Sequence, residues 1–191
     1  MSGWAIWITG MPGSGKSTLA RFVARSLLRR HIRAQVLSVE MVRKVLTVRP
    51  KYTEEERRVV YGALVFVAKI LTQNGTNVII DATANRRRYR NAARRSIPRF
   101  AEIYLRCPLE VCMQRERSRK RRFGAPSRIY VKAKTGASKT VPGVGVPYEL
   151  PLSPELTVDT SQLRPTESAD QILKFVLVRF CHGQQPRIAK R

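Results

Sequence analysis

With 191 residues, 43% of them hydrophobic, the chain is long enough to bury a core as one domain without disulfide or metal staples. Cys107, Cys112 and Cys181 are odd in number and lack C-x-x-C spacing, which argues against a disulfide framework or a zinc site; with no leader-like or membrane-length apolar run, this predicts a cytoplasmic protein. A net charge of +24, from 37 Lys and Arg against 13 Asp and Glu, points to anionic partners and away from any membrane-spanning role.

The first apolar run, WAIWI at residues 4–8, predicts a buried strand. ITGMPGSGKS follows, and the spacing from Gly10 to Gly15, Lys16 and Ser17 fits G-x-x-x-x-G-K-[ST], a phosphate-binding loop between strand and helix. Glycines 10, 13 and 15 let backbone N–H groups approach a triphosphate, and the N–H groups of Ser14 and Thr18 add to the cradle. Lys16 can bridge the β- and γ-phosphates, and the Ser17 hydroxyl can hold magnesium at the helix N-terminus. ATP and Mg2+ are therefore the expected ligands. Apolar residues at Leu19, Phe22, Val23, Leu27 and Leu28 carry the helix onward.

Further strand-like runs at residues 34–39, 76–82, 101–106 and 156–158 alternate with helical patterns. Such alternation predicts a three-layer α/β fold of the phosphate-loop nucleoside triphosphatase type, a parallel sheet of about five strands covered by helices on both faces. Glu40 and Asp81 each follow a strand, where open α/β sheets bind ligands, so either can serve as catalytic base or hold magnesium. As alternatives, Glu40 suits a first-turn helix acid and Asp81 a turn former. Thr53 with Glu56 forms a capping box for a helix whose apolar residues run through Val59, Val60, Leu64, Val67, Ala68 and Leu71 until Asn74-Gly75. Ser168 with Gln171 makes a weaker box before the last helix. Trp4 and Trp7 read as packing residues.

Residues 86–139 hold eighteen Lys and Arg against three acids, suited either to clamping a transferring phosphoryl group or to following a nucleic-acid backbone. Within residues 119–148 apolar periodicity is absent, and the segment reads as a basic lid. The expected organisation is one kinase domain over residues 1–183 and a basic, mobile tail over 184–191. The single short domain and its arginines favour a kinase among phosphate-loop proteins.

In order and near-spacing, LSVEMVRKVL, YTEEER, NVIIDATANRRRYRNAAR, CPLEVCMQR, IYVKAKTG and PYELPLSPELTVDT resemble the adenylylsulfate kinases over nearly the whole chain. The resemblance implies transfer of the γ-phosphoryl of ATP to the 3′-hydroxyl of adenylylsulfate, in sulfate activation, and a homodimeric assembly. It also implies that Glu40 stands near the acceptor hydroxyl in place of an aspartate, and that Arg43 and Arg57 hold the acceptor. Tyr52 replaces a phenylalanine beside the acceptor adenine, Lys132 is a lid lysine, Arg115 closes the preceding helix, and Arg119 joins it at the nucleotide. Ser38, Val60 and Val141-Pro142-Gly143 depart from the family's aspartate, asparagine and Phe-Thr-Gly. Loss of that stacking partner costs about 1–3 kcal/mol by analogy with base–aromatic stacking. VIIDATANRR is also similar to kinases of polynucleotide 5′-hydroxyls and of seryl-tRNA, which implies an alternative acceptor: a nucleic-acid end, an aminoacyl-tRNA or another small hydroxyl compound.

Overall fold

The structure, a computed structural model, describes residues 2–119 and 124–181; the expected tail at 184–191 and part of the basic run at 120–123 lie outside the described residues. In chain order the elements are β1 (Ala5–Thr9), α1 (Lys16–Leu28), β2 (Ala34–Ser38), α2 (Val39–Leu46), α3 (Glu54–Gln73), β3 (Asn77–Asp81), α4 (Arg87–Ser96), β4 (Phe100–Arg106), α5 (Leu109–Ser118), α6 (Ile129–Lys134), β5 (Leu156–Asp159) and α7 (Pro165–Val176), which ends in a π-helical turn at Leu177–Cys181.

The strands form one sheet in the order β2-β3-β1-β4-β5, every neighbour parallel. From β1 the chain passes to the edge strand β2, returns inward to β3 beside β1, then crosses to β4 on the other side, so the topological switch point flanks the loop leaving β1. The registers Ile8↔Asp81 and Ser38↔Asp81 bring three strand ends side by side there.

Alternation along β1 divides the core. Trp4, Ile6 and Ile8 face α1 and α7, where they pack with Leu19, Val23, Leu27 and Ile172. Ala5 and Trp7 face α3 and α4, against Tyr61, Leu64, Tyr89 and Ile97. Both tryptophans are packing residues: Trp4 stacks on Phe180 at 5.4 Å, and Trp7 Nε1 donates to the Ala82 carbonyl at 3.0 Å.

Local sequence explains the helix starts, with two corrections. Thr53 caps α3 by accepting from the Glu56 N–H at 3.2 Å, but the Glu56 carboxylate accepts from the Lys51 and Tyr52 N–H groups at 2.5 and 2.9 Å. The expected return bond to Thr53 is thus moved to the two residues before it, which pins the approach loop. Val59 and Val67, counted in the apolar pattern of the helix, lie with Phe66 and Ile70 on the outer face of α3; its buried face is Val60, Tyr61, Leu64, Val65 and Ala68. The cap of α7 is Arg164, whose N–H donates to Glu167 at 2.8 Å, and Ser168 is buried inside that helix. The lid is not wholly irregular: α6 forms within it, and its Tyr130 packs with Cys107, Cys112 and Val141 in a third small core. Among the described residues, no helix is long and apolar enough to cross a membrane.

Candidate active site

The loop between β1 and α1 is built around close backbone approach. Gly13 (φ 90°) and Gly15 (φ 101°) adopt left-handed conformations that favour glycine. A Cβ on Gly13 would stand 2.3 Å from the Cys112 carbonyl oxygen, whereas one on Gly15 would meet open space. Tyr130 Oη donates to the Pro12 carbonyl at 2.7 Å and Thr160 Oγ1 to the Ser14 carbonyl at 3.1 Å, so α6 and the end of β5 hold the loop's outer wall. Lys16 Nζ donates to the Gly10 and Met11 carbonyls at 3.1 and 3.0 Å. Burial pushes its pKa down, opposed chiefly by the Asp81 charge. Gly10 sits behind the loop against Leu105. Ser14 Oγ is buried without a partner among the described residues, an orphaned group of the kind a phosphate oxygen satisfies.

Asp81 ends β3 beneath this loop. Its pKa is raised by burial and drawn back by Lys16, by a hydrogen bond from Ser17 and by Arg21. A serine hydroxyl beside a carboxylate is a hard-oxygen donor pair that fits Mg2+, an ion usually held by one or two protein oxygens together with substrate phosphates. Glu40 occupies the first turn of α2, as the helix-acid reading anticipates, yet lines the same cavity as Asp81. Burial raises its pKa too, opposed mainly by Arg43.

Beyond Glu40, Arg43 is 3% exposed, pairs with Glu56, lies 3.8 Å from Glu40 and sits 4.4 Å over the Tyr52 ring. Tyr52 itself has φ 57° and a hydroxyl pKa pushed up to about 12 by burial. Arg57 is 5% exposed and donates to the Tyr52 carbonyl at 3.0 Å, Asn85 Oδ1 at 3.1 Å and the Thr140 carbonyl at 2.6 Å. Its guanidinium ties α3, the loop after β3 and the far end of the lid together.

At the opposite end, Arg115 donates to the Thr160 carbonyl at 2.8 Å, and Arg119 lies 3.8 Å from Glu116 with its Nε unpartnered among the described residues. Lys132 projects from α6, exposed, on the cavity wall. One cavity of about 890 Å³ connects the phosphate loop, both carboxylates, Arg43, Tyr52, Arg57, Arg115, Arg119 and Lys132.

Sequence reasoning missed Glu56, Asn85, Tyr130 and Thr160 as supports. Asn85 and Thr160 follow strand ends in DATAN and VDT, a signal available in the sequence. Tyr130 and Glu56 act by contacts 118 and 13 residues distant, which no local pattern discloses.

The adenylylsulphate kinase family model matches residues 2–159. The chain is 33% identical to a probable adenylyl-sulfate kinase of Pyrococcus abyssi, over 91% of this chain and 95% of that protein. It is 34% identical to the adenylyl-sulfate kinase of Halothermothrix orenii, over 91% and 89%. The APS kinase CysC of Mycobacterium tuberculosis, solved in complex with AMPPNP and APS, superposes with a TM-score of 0.81 at 28% identity, over 92% and 98% of the two chains. A shikimate kinase from Acinetobacter baumannii shares the fold at 17% identity, with a TM-score of 0.59 over 92% and 94%.

Proposed function

The chain belongs to the adenylylsulphate kinase family, and on that premise we propose that it transfers the γ-phosphoryl group of ATP to the 3′-hydroxyl of adenylylsulfate. The observation that carries this reading is the single cavity, with a triphosphate loop at one side and Glu40, Arg43, Tyr52 and Arg57 at the other. The M. tuberculosis relative, whose structure holds AMPPNP and APS, supports placing ATP on the loop and the acceptor opposite.

The roles divide by company. Asp81, beside Ser17, belongs with the magnesium end; Mg2+ bound there would supply charge neutralisation on the phosphates. Glu40 stands with the acceptor-side arginines and takes the acceptor hydroxyl's proton as the oxygen attacks the γ-phosphorus and the bond to the β-phosphate oxygen breaks. Lys16 leaves its loop carbonyls to hold the β- and γ-oxygens, while Arg119 and Lys132 neutralise charge from the lid side. Tyr52 offers one aromatic face to the acceptor base, and Arg43 orients that ring.

A second reading, another small hydroxyl acceptor, is favoured by Val141. It is 5% exposed and packs into the third core, so it supplies no second aromatic wall for an adenine.

The test is product formation from ATP and adenylylsulfate, with a polynucleotide 5′-hydroxyl, seryl-tRNA and shikimate as competing acceptors. We expect 3′-phosphoadenylylsulfate from the first alone, with turnover lost in Lys16→Ala. Binding of ATP without phosphorylation of adenylylsulfate would refute the assignment.

A further inference from the structure

The opening of the arginine-rich stretch, Arg86 to Arg94, is largely neutralised in the fold. Arg86 and Arg87 face Glu149, Arg88 pairs with Glu54, Arg90 with Glu102, and Arg94 with Glu155 and Glu102. A second run of cations lies elsewhere with no acids around it in the sequence. No acidic residue precedes Glu40 in the sequence. Arg25 and Arg29 stand one turn apart on the outer side of α1, and Arg30 and Arg33 continue through the turn into edge strand β2, all four exposed. Arg29 and Arg30 donate to Ser26, its hydroxyl at 2.9 Å and its carbonyl at 3.1 Å. Among the described residues, none of the four forms an ion pair. The residues outside the described set carry no Asp or Glu that could supply one. On α7, which packs against α1, Glu167 is taken by Arg164, and Asp170 forms no ion pair among the described residues.

We propose that this ridge, Arg25, Arg29, Arg30 and Arg33, is a docking track for the phosphate backbone of duplex nucleic acid. Charge complementarity selects a polyanion, and the surroundings select its class. Single-strand binders offer aromatic faces for unstacked bases, but the only rings at residues 21–36 are half-buried Phe22 and the His31 imidazole. A membrane-surface helix needs an apolar face to insert, and the ridge presents the lone exposed Leu28. Contacts confined to phosphates make the interaction sequence-independent and strongly salt-dependent. The track starts at the cavity rim, where Arg25 contributes to the wall, so the enzyme can sit on a duplex with its site open beside it. None of this depends on the identity of the phosphoryl acceptor.

The experiment is a fluorescence-anisotropy titration of a random-sequence DNA duplex over a salt series. It compares the wild-type chain, the Arg29→Gln/Arg30→Gln/Arg33→Gln triple variant and an equal-charge control, Arg58→Gln/Lys174→Gln/Arg179→Gln. The track variant should show a log–log salt slope shallower by about 0.9 for each phosphate contact removed, with the control slope unchanged and ATP turnover retained in both. Arg33→Gln alone, outside α1, gives the same reading at one contact should the triple variant fail to fold. Equal losses in track and control variants would reduce the effect to diffuse net charge and overturn the proposal. So would binding to anionic phosphatidylserine vesicles in place of the duplex, or no duplex binding by the wild type.

Discussion

Asp81 is buried and Glu40 partly buried, and loss of solvent disfavours the charged form of both carboxylates, so the pKa of each lies above its ordinary value. For a catalytic Glu40 the consequence is an acid limb in kcat/KM displaced upward from the usual carboxylate range. That limb should disappear in Glu40→Gln together with about 10²–10⁴-fold of turnover, and a pH–rate profile of both enzymes checks it. Stability follows the opposite sense. A raised folded-state pKa contributes stability that is complete below the unfolded value and is lost as pH rises through the folded value. The desolvation of Asp81 is offset by Lys16, its nearest countercharge, so Asp81→Asn, which leaves that lysine buried without its counterion, should melt lower as well as lose activity. At this scale the glycines, Lys16, Ser17 and both carboxylates were legible because their chemistry is local. Arg57 was read as a residue that grips the acceptor, yet it is buried and holds three protein oxygens. Nothing in its neighbours predicts partners 28 and 83 residues away.

The helices show which local patterns carry weight. Thr53 and Glu56 announced α3 because a hydroxyl and a carboxylate three residues apart satisfy N–H groups at a helix start. Thr53→Ala should cost about 1 kcal/mol in chemical denaturation. The same pattern misplaced α7: Arg164 has no side-chain oxygen to flag it as a cap, and Ser168 with Gln171 mimics a box four residues late. Periodicity failed on α3 because the helix carries apolar residues on both faces, and on α6 because six residues are too few to display a period. Arg57→Lys keeps the charge at the start of α3 but lacks the guanidinium fork that links Tyr52, Asn85 and Thr140. We expect a loss of about 1–3 kcal/mol in denaturant melts and a raised KM for the acceptor with little change in that for ATP.

Over the whole molecule the alternation of strand and helix was enough to give a parallel sheet with helices on both faces. The strand order was not written there, because it depends on which side of β1 each crossover lands. Charge is the other global property. With a net +24, self-repulsion opposes compactness, and salt shortens its reach from ~30 Å at ~0.01 M to ~3 Å at ~1 M. Melting temperature should therefore rise across that range, measured by circular dichroism. A falling value would mean that surface ion pairs such as Arg106–Asp159 outweigh the repulsion.

The indole N–H that joins Trp7 to the Ala82 carbonyl, next to Asp81, gives the chain an optical gauge of its own. Trp4, its sole fellow fluorophore of that kind, is stacked on Phe180 at the distant end of the strand. Replacing Trp4 with Phe leaves one emitter wired to the floor of the site, so ligand arrival can be followed by intensity and lifetime without any attached dye.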